Sequence, residues 1–211
     1  MIQRKAIDDA SFNKLLKLLP KLDLTNGPFV AGGAARRLWY DQDWARADVD
    51  VFFVNEQQRL DWVKQFEHMR YVSRSSTAFD AIGDLVLSRR ASTYKSISTA
   101  NADTYVIEMD NVNIKLQTIK TRYSLSFLDL FRDFDFAASC FATDGTCVVA
   151  LDSALRSVEQ KQLIINNDAN THNMPLRVLK YQIYGFDPSD DVLRSVADQI
   201  ANGEVSWESN Y

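Results

Sequence analysis

Histidine and cysteine are scarce in this chain. Among 211 residues there are only His68 and His172, and only Cys140 and Cys147. His68 follows Glu67 in a helical pattern and reads as a surface residue. His172 reads as a local hydrogen-bonding group near a helix start. Neither has the neighbours of a zinc site or of an activated nucleophile, so both chemistries are excluded. Two cysteines do not make a disulfide framework. They imply free thiols in a reducing, cytoplasmic compartment, with no disulfide-linked partner, although one pairing across a predicted turn stays open. The 7 glycines and 4 prolines are too few for a Gly/Pro-rich linker or low-complexity tract. No apolar run approaches the roughly 20 residues that cross a bilayer, so no membrane partner is expected. The start, Met1-Ile2-Gln3-Arg4-Lys5, leads into a polar amphipathic stretch and not into a signal-peptide core. A basic excess is missing too: 24 Lys and Arg stand against 28 Asp and Glu, a net charge of −4 with a pI near 5.2. That is no global footprint for nucleic acid, though a local basic face stays open.

What is present suits a soluble globular protein. Hydrophobic residues make up 46% and charged residues 25%, enough for a real core in one compact domain, or one domain with a small appendage. Residues 8–19 place Phe12, Leu15, Leu16, Leu18 and Leu19 at helical spacing until Pro20. Phe29 to Ala31 reads as a short strand, Ala34 to Tyr40 as a helix and Ala47 to Val54 as a strand. Gln57 to Met69 follows as a helix that buries Leu60, Val63, Phe66 and Met69. Residues 73–103 are weakly patterned, with a helical stretch over Phe79 to Leu87. Arg89, Arg90 and Lys95 there read as a solvated basic loop. Thr104 to Met109 and Val112 to Ile119 flank Asp110-Asn111 as a hairpin. Ser126 to Arg132 is helical. Asp144-Gly145 joins Phe136 to Ala142, strand or helix, to Thr146 to Leu151. Helices are then expected over Ala154 to Ile165, Thr171 to Tyr184 with its start near Pro175, and Pro188 to Ala201. The composition shifts near Asn166-Asn167-Asp168. A body of residues 1–165 and a helical extension of residues 166–211 are the expected domains.

One conjunction carries chemistry. Gly32-Gly33-Ala34-Ala35-Arg36 leads through a short helix to Asp48-Val49-Asp50 at the head of the apolar run Val51-Phe52-Phe53-Val54. Residues two apart on a strand share a face, so Asp48 and Asp50 project together. Like charges that close need a cation or strong donors between them. Mg²⁺ (or Mn²⁺), a hard ion that takes carboxylate and phosphate oxygens, is the natural partner. A Gly-Gly turn lets backbone approach a phosphate, and its N–H groups with the following helix start favour an anion. Metal-holding carboxylates beside a phosphate cradle point to phosphoryl or nucleotidyl transfer. Trp39, Tyr40 and Trp44 read as packing residues and not as a base-stacking platform.

This arrangement resembles the DNA polymerase β-like nucleotidyltransferase superfamily, and more narrowly the head and neck of class II CCA-adding enzymes and bacterial poly(A) polymerases. Gly32, Gly33, Arg36, Asp48 and Asp50 hold the family's entry motif. Asp135, Phe136, Ala142, Asp144, Gly145, Lys161 and Leu163 fit a second motif. Pro175-Leu176-Arg177-Val178-Leu179-Lys180-Tyr181, ending in Gly185-Phe186, is similar to the family's neck helix. The resemblance implies an α/β (α+β) nucleotidyltransferase fold: a small mixed sheet flanked by helices, then a short helical neck. It implies Asp48 and Asp50 as metal-holding catalytic residues. Gly32, Gly33, Arg36, Asp135, Arg177 and Lys180 would bind the nucleotide. An NTP would donate its nucleoside monophosphate to a hydroxyl acceptor on an RNA 3′ end, a protein or a small molecule, releasing pyrophosphate.

The departures set the alternatives. Asp133 and Phe134 stand where the family has paired arginines, and Asn173 and Met174 where it has Glu-Asp. The chain ends where the family's body and tail would begin, which argues against CCA addition to tRNA. The polar face of Val112 to Ile119 is Asn113, Lys115 and Gln117, with Gln117 where the superfamily often has a third carboxylate. Asp135 or Glu108 could assist instead. A catalytically silent nucleotide-binding or protein-interaction module is one alternative. A nucleotidylating toxin or antagonist of phage or mobile-element type is another.

Overall fold

A computed structural model describes residues 1–75, 92–166 and 174–203. The expected helix over Phe79 to Leu87, Arg89, Arg90, His172 and the composition shift after Asn166 lie outside the described residues, as does the side chain of Lys95. The strands are β1 Ile2–Ala6, β2 Phe29–Ala31, β3 Val49–Phe53, β4 Ser92–Ser98, β5 Ala102–Met109, β6 Val112–Tyr123, β7 Phe141–Thr143, β8 Cys147–Leu151, β9 Gln162–Leu163 and β10 Asp187–Pro188. The helices are α1 Ala10–Leu16, α2 Gly33–Trp39, α3 Glu56–Ser75, α4 Phe127–Asp133, α5 Asp152–Glu159, α6 Met174–Ile183 and α7 Asp190–Ala201. Short 3₁₀ turns cover Trp44–Arg46 and Ala137–Ser139.

The fold is mixed α/β. An eight-stranded sheet runs β1-β8-β7-β2-β3-β6-β5-β4, and β9 and β10 form a second, two-stranded one. β2 is antiparallel to β3 and β7, while β3 is parallel to β6. A parallel neighbour needs a crossover, and α3 lies within the stretch of chain that joins β3 to β6. β5 and β6 form the hairpin expected from Asp110-Asn111. Both turn residues have positive φ, 51° and 64°, the geometry that matches a two-residue turn to the twist of its strands.

The chain forms two compact units. One comprises Lys5–Phe127 and Ala142–Val148; the other comprises Met1–Arg4, Leu128–Phe141 and Val149–Tyr211. In the first unit, α3 packs against β3 on the face that carries Phe53. Trp62 meets Phe53 edge-on and stacks on Phe66, which meets Tyr105 edge-on. The buried stripe of α3 differs from the expected one: Leu60 is exposed, and Arg59 is buried. Asp103 explains the rotation. Buried on β5, it needs a cation, and it takes Arg59 at 3.3 Å and Lys120 at 2.8 Å.

The second unit has its own core of Phe136, Ala138, Leu163, Met174, Val178, Phe186 and Val192. α5 ends earlier than expected, and the stretch read as its continuation to Ile165 is partly strand. Lys161 takes a left-handed conformation (φ 54°), and Gln162 and Leu163 then pair with Asp187 and Pro188. Leu163 is thereby buried. The segment over Phe136 to Ala142 resolves into a 3₁₀ turn and then β7. β1 is a strand that the polar N-terminal sequence did not announce. Cys140 and Cys147 are free thiols. Burial pushes the Cys140 thiol up to about 12. Among the described residues, no helix is long and apolar enough to cross a membrane.

Candidate nucleotide and metal site

β2 delivers the chain into Gly32 and Gly33, and β3 carries Asp50. The register joins them, because Ala31, the last residue of β2, pairs with Asp50. The strands run antiparallel, so the Gly-Gly turn leaves the sheet at the end where Asp48 enters it. Asp48 is exposed, Val49 buried, Asp50 half-buried and Val51 buried. That alternation puts both carboxylates on one side, as the two-residue spacing predicts. Oδ1 of Asp50 is shielded from solvent.

The two glycines are required for different reasons. Gly32 has φ 81° and ψ −132°, a region that side chains exclude, and a Cβ there would meet open space. Its conformation alone therefore demands glycine. The missing Cβ of Gly33 would lie 3.3 Å from the Ala47 Cβ, so its absence lets α2 start close against the segment before β3. Arg36 sits one turn into α2, its N–H donating to the Gly32 carbonyl at 2.9 Å. α2 has only 7 residues, so the turn's N–H groups matter more than the helix dipole.

On the other side of Asp50 lies β6. Its register partner there is Gln117, which pairs in turn with Thr104 on β5. Gln117 donates through Nε2 to the Thr104 hydroxyl at 3.4 Å. The row across the sheet therefore reads Ala142, Ala31, Asp50, Gln117, Thr104. The expected polar face of β6 is observed: Asn113 and Lys115 are exposed and Gln117 is half-buried. Glu108 shares that face but stands four residues beyond Thr104, about 13 Å along the strand, too far to share an ion with Asp50. Among the described residues, no group of three or more His, Cys, Asp or Glu side chains comes together as a metal cluster. Two carboxylates and a neighbouring amide oxygen are hard donors. Donors of this kind would suit a magnesium-type ion, which takes one or two carboxylates beside water and phosphate.

Asp135, Arg177 and Lys180 belong to the second unit. There Asp135 is 2% exposed, and Arg177 on α6 forms an ion pair with it. Arg132, three residues before Asp135, pairs with Asp129 at 3.5 Å. One turn on from Arg177, the Tyr181 hydroxyl lies 2.5 Å from that of Ser139, and its ring meets Phe136 edge-on. Lys180 is exposed. Trp44 packs edge-on against Phe12, its indole N–H donating to Ser11 at 2.9 Å, so it is a packing residue. His68 is exposed.

Sequence reasoning named Gln117 only as the occupant of a vacant place. It missed the contact with Thr104, which joins residues 13 apart and depends on hairpin register. The two-residue turn at Asp110-Asn111 was the signal from which that register could be counted.

The mixed sheet and its flanking helices are consistent with a nucleotidyltransferase-like fold. Among solved structures, the Thermotoga maritima CCA-adding enzyme complexed with tRNA is similar over 95% of this chain and 46% of its own, at 16% identity and a TM-score of 0.55. A tRNA-processing enzyme in an apo form matches over 83% of this chain and 45% of its own, at 15% identity and a TM-score of 0.46. The chain spans about half the length of these proteins, and at such identity the first likeness is one of fold alone. No curated protein matches. The chain belongs to the Gabija anti-defense 2 family, whose model matches residues 6–161.

Proposed function

We propose that the chain is a Mg²⁺-dependent nucleotidyltransferase of the cytoplasm that moves a nucleoside monophosphate from an NTP to a hydroxyl acceptor and releases pyrophosphate. The observation that carries this reading is the Ala31–Asp50 register, which sets a glycine turn beside an Asp-x-Asp strand end. Asp48 and Asp50 would hold the ion. When bound, it supplies positive charge against the triphosphate and favours the ionised form of an attacking hydroxyl. The Gly32-Gly33 turn offers N–H donors to phosphate oxygens, with no Cβ in the way. Arg36 adds a cation one turn further on. For Asp135, Arg177 and Lys180 a nucleotide role rests on the resemblance alone; the ion pair accounts for the first two charges without a ligand.

The family's description supports an anti-defense role against Gabija, and so favours an antagonist that nucleotidylates an acceptor in that defence. The acceptor would then be a hydroxyl on a protein or an RNA. A silent nucleotide-binding module is the second reading, favoured by Gln117 beside Asp50 in place of an acid. Calorimetry with NTP and Mg²⁺ tests the site. The parent is expected to bind in a Mg²⁺-dependent way, and equal affinity in the Asp48→Ala/Asp50→Ala variant would sink the metal assignment. Labelled NTPs incubated with Gabija components separate the two readings, since transfer that needs Asp48 supports the enzyme and binding without transfer supports the module.

A further inference from the structure

The row through Asp50 limits what a cation there can use. Neighbouring strands lie about 4.8 Å apart, so register partners bring their side chains into reach of one ion. On the β2 side the partner is Ala31, and beyond it on β7 is Ala142, neither of which carries a donor. On the β6 side the partner is Gln117. Its nitrogen donates to Thr104 on β5, which leaves the amide oxygen, an acceptor with two lone pairs, for a ligand. Glu108 is out of range on the same face. Among the described residues of this unit, the sheet offers the site two negative charges and one neutral oxygen.

Charge count decides how many ions such a site keeps. A pair of divalent ions about 4 Å apart repels strongly, and a bridging carboxylate needs further anionic ligands to hold both. A single Mg²⁺ is satisfied by one or two carboxylates, water and substrate phosphates.

We propose that Gln117 is the third member of the Asp48–Asp50 cation site, a neutral amide ligand that restricts the site to one divalent ion, carried in with the nucleotide. The proposal rests on the metal assignment made under the proposed function. Thr104 positions Gln117 and does not touch the ion. The Thr104 hydroxyl accepts from an amide and can equally donate to a carboxylate, so Gln117→Glu is tolerated at the same position.

Electron paramagnetic resonance of Mn²⁺ counts ions without relying on turnover. The full chain is titrated with Mn²⁺ in the presence of an equimolar mixture of four non-hydrolysable NTP analogues, with circular dichroism as the check on folding. The expected result is one ion per chain in the parent and two in Gln117→Glu. Gln117→Met keeps the length and removes the oxygen, and it is expected to weaken the single ion several-fold. Two ions in the parent, one in Gln117→Glu, or unchanged affinity in Gln117→Met would each overturn the role of Gln117 while leaving the metal site standing. No ion lost on Asp48→Ala/Asp50→Ala would overturn the metal site itself, and the proposal with it.

Discussion

At the scale of single residues, Asp9 shows how one side chain begins an element. It caps α1, accepting from the Phe12 N–H at 2.8 Å and from the Ser11 hydroxyl at 2.7 Å. Partial burial works to raise its pKa, but the hydrogen bonds from Ser11, Phe12 and Trp44 outweigh it and hold the carboxyl below its usual value. A depressed carboxylate stabilises the fold above its unfolded pKa, and loses that contribution as pH falls through the folded value. Asp9→Ala should therefore cost about 1 kcal/mol near neutral pH, with the gap to the parent narrowing as acid protonates the Asp9 carboxyl. Urea unfolding midpoints followed from neutral into acid pH check this. Gly32 is the second instructive residue. The glycine pair was legible as a turn, and its φ of 81° explains why the first glycine cannot be replaced without strain.

Among elements, α6 is fixed by polar contacts as well as apolar ones. Arg177 pairs with Asp135 while Val178, one position on, enters the core. Removing Arg177 leaves a buried carboxylate without its cation, which typically costs several kcal/mol. Arg177 is itself about one-third exposed, so screening reduces the expected loss to about 2 kcal/mol. Arg177→Met should lower the thermal midpoint and speed amide exchange across α6. Adding Asp135→Asn should recover much of that loss, because no uncompensated charge remains. If the double variant is as unstable as the single one, the pair contributes by packing and not by charge. Elements also mark where periodicity misled. The stripe through Leu60 and Val63 was a sound helical pattern, but it could not foresee that Asp103, 44 residues on from Arg59, would draw that arginine inward. Likewise Lys161 ends α5 because β10, far along the chain, claims Gln162 and Leu163.

At the scale of the whole molecule, function and stability are expected to separate. Asp48 and Asp50 share a face at a strand end, and Val49 and Val51 between and beyond them form the buried side. Replacing both carboxylates by alanine removes like-charge repulsion and leaves the buried Val49 and Val51 side chains in place. Asp48→Ala/Asp50→Ala should unfold within about 1 kcal/mol of the parent, or at slightly higher temperature, while losing Mg²⁺-dependent nucleotide binding. Calorimetric melting beside the binding titration checks both halves; a large loss of stability would mean that the carboxylates serve the fold.

The sequence by itself determined the local chemistry: a glycine turn, a strand with two carboxylates on one face, the hairpin at Asp110-Asn111, and the mixed α/β class. These follow from backbone sterics and the two-residue period of a strand, which act over a few residues. Only the tertiary structure decided which strands are neighbours, and with that what stands beside Asp50. Strand pairing sets Ala142, Ala31, Asp50, Gln117 and Thr104 in one row, although Asp50 and Gln117 are 67 positions apart and Ala31 and Ala142 are 111 apart, beyond the reach of any local pattern.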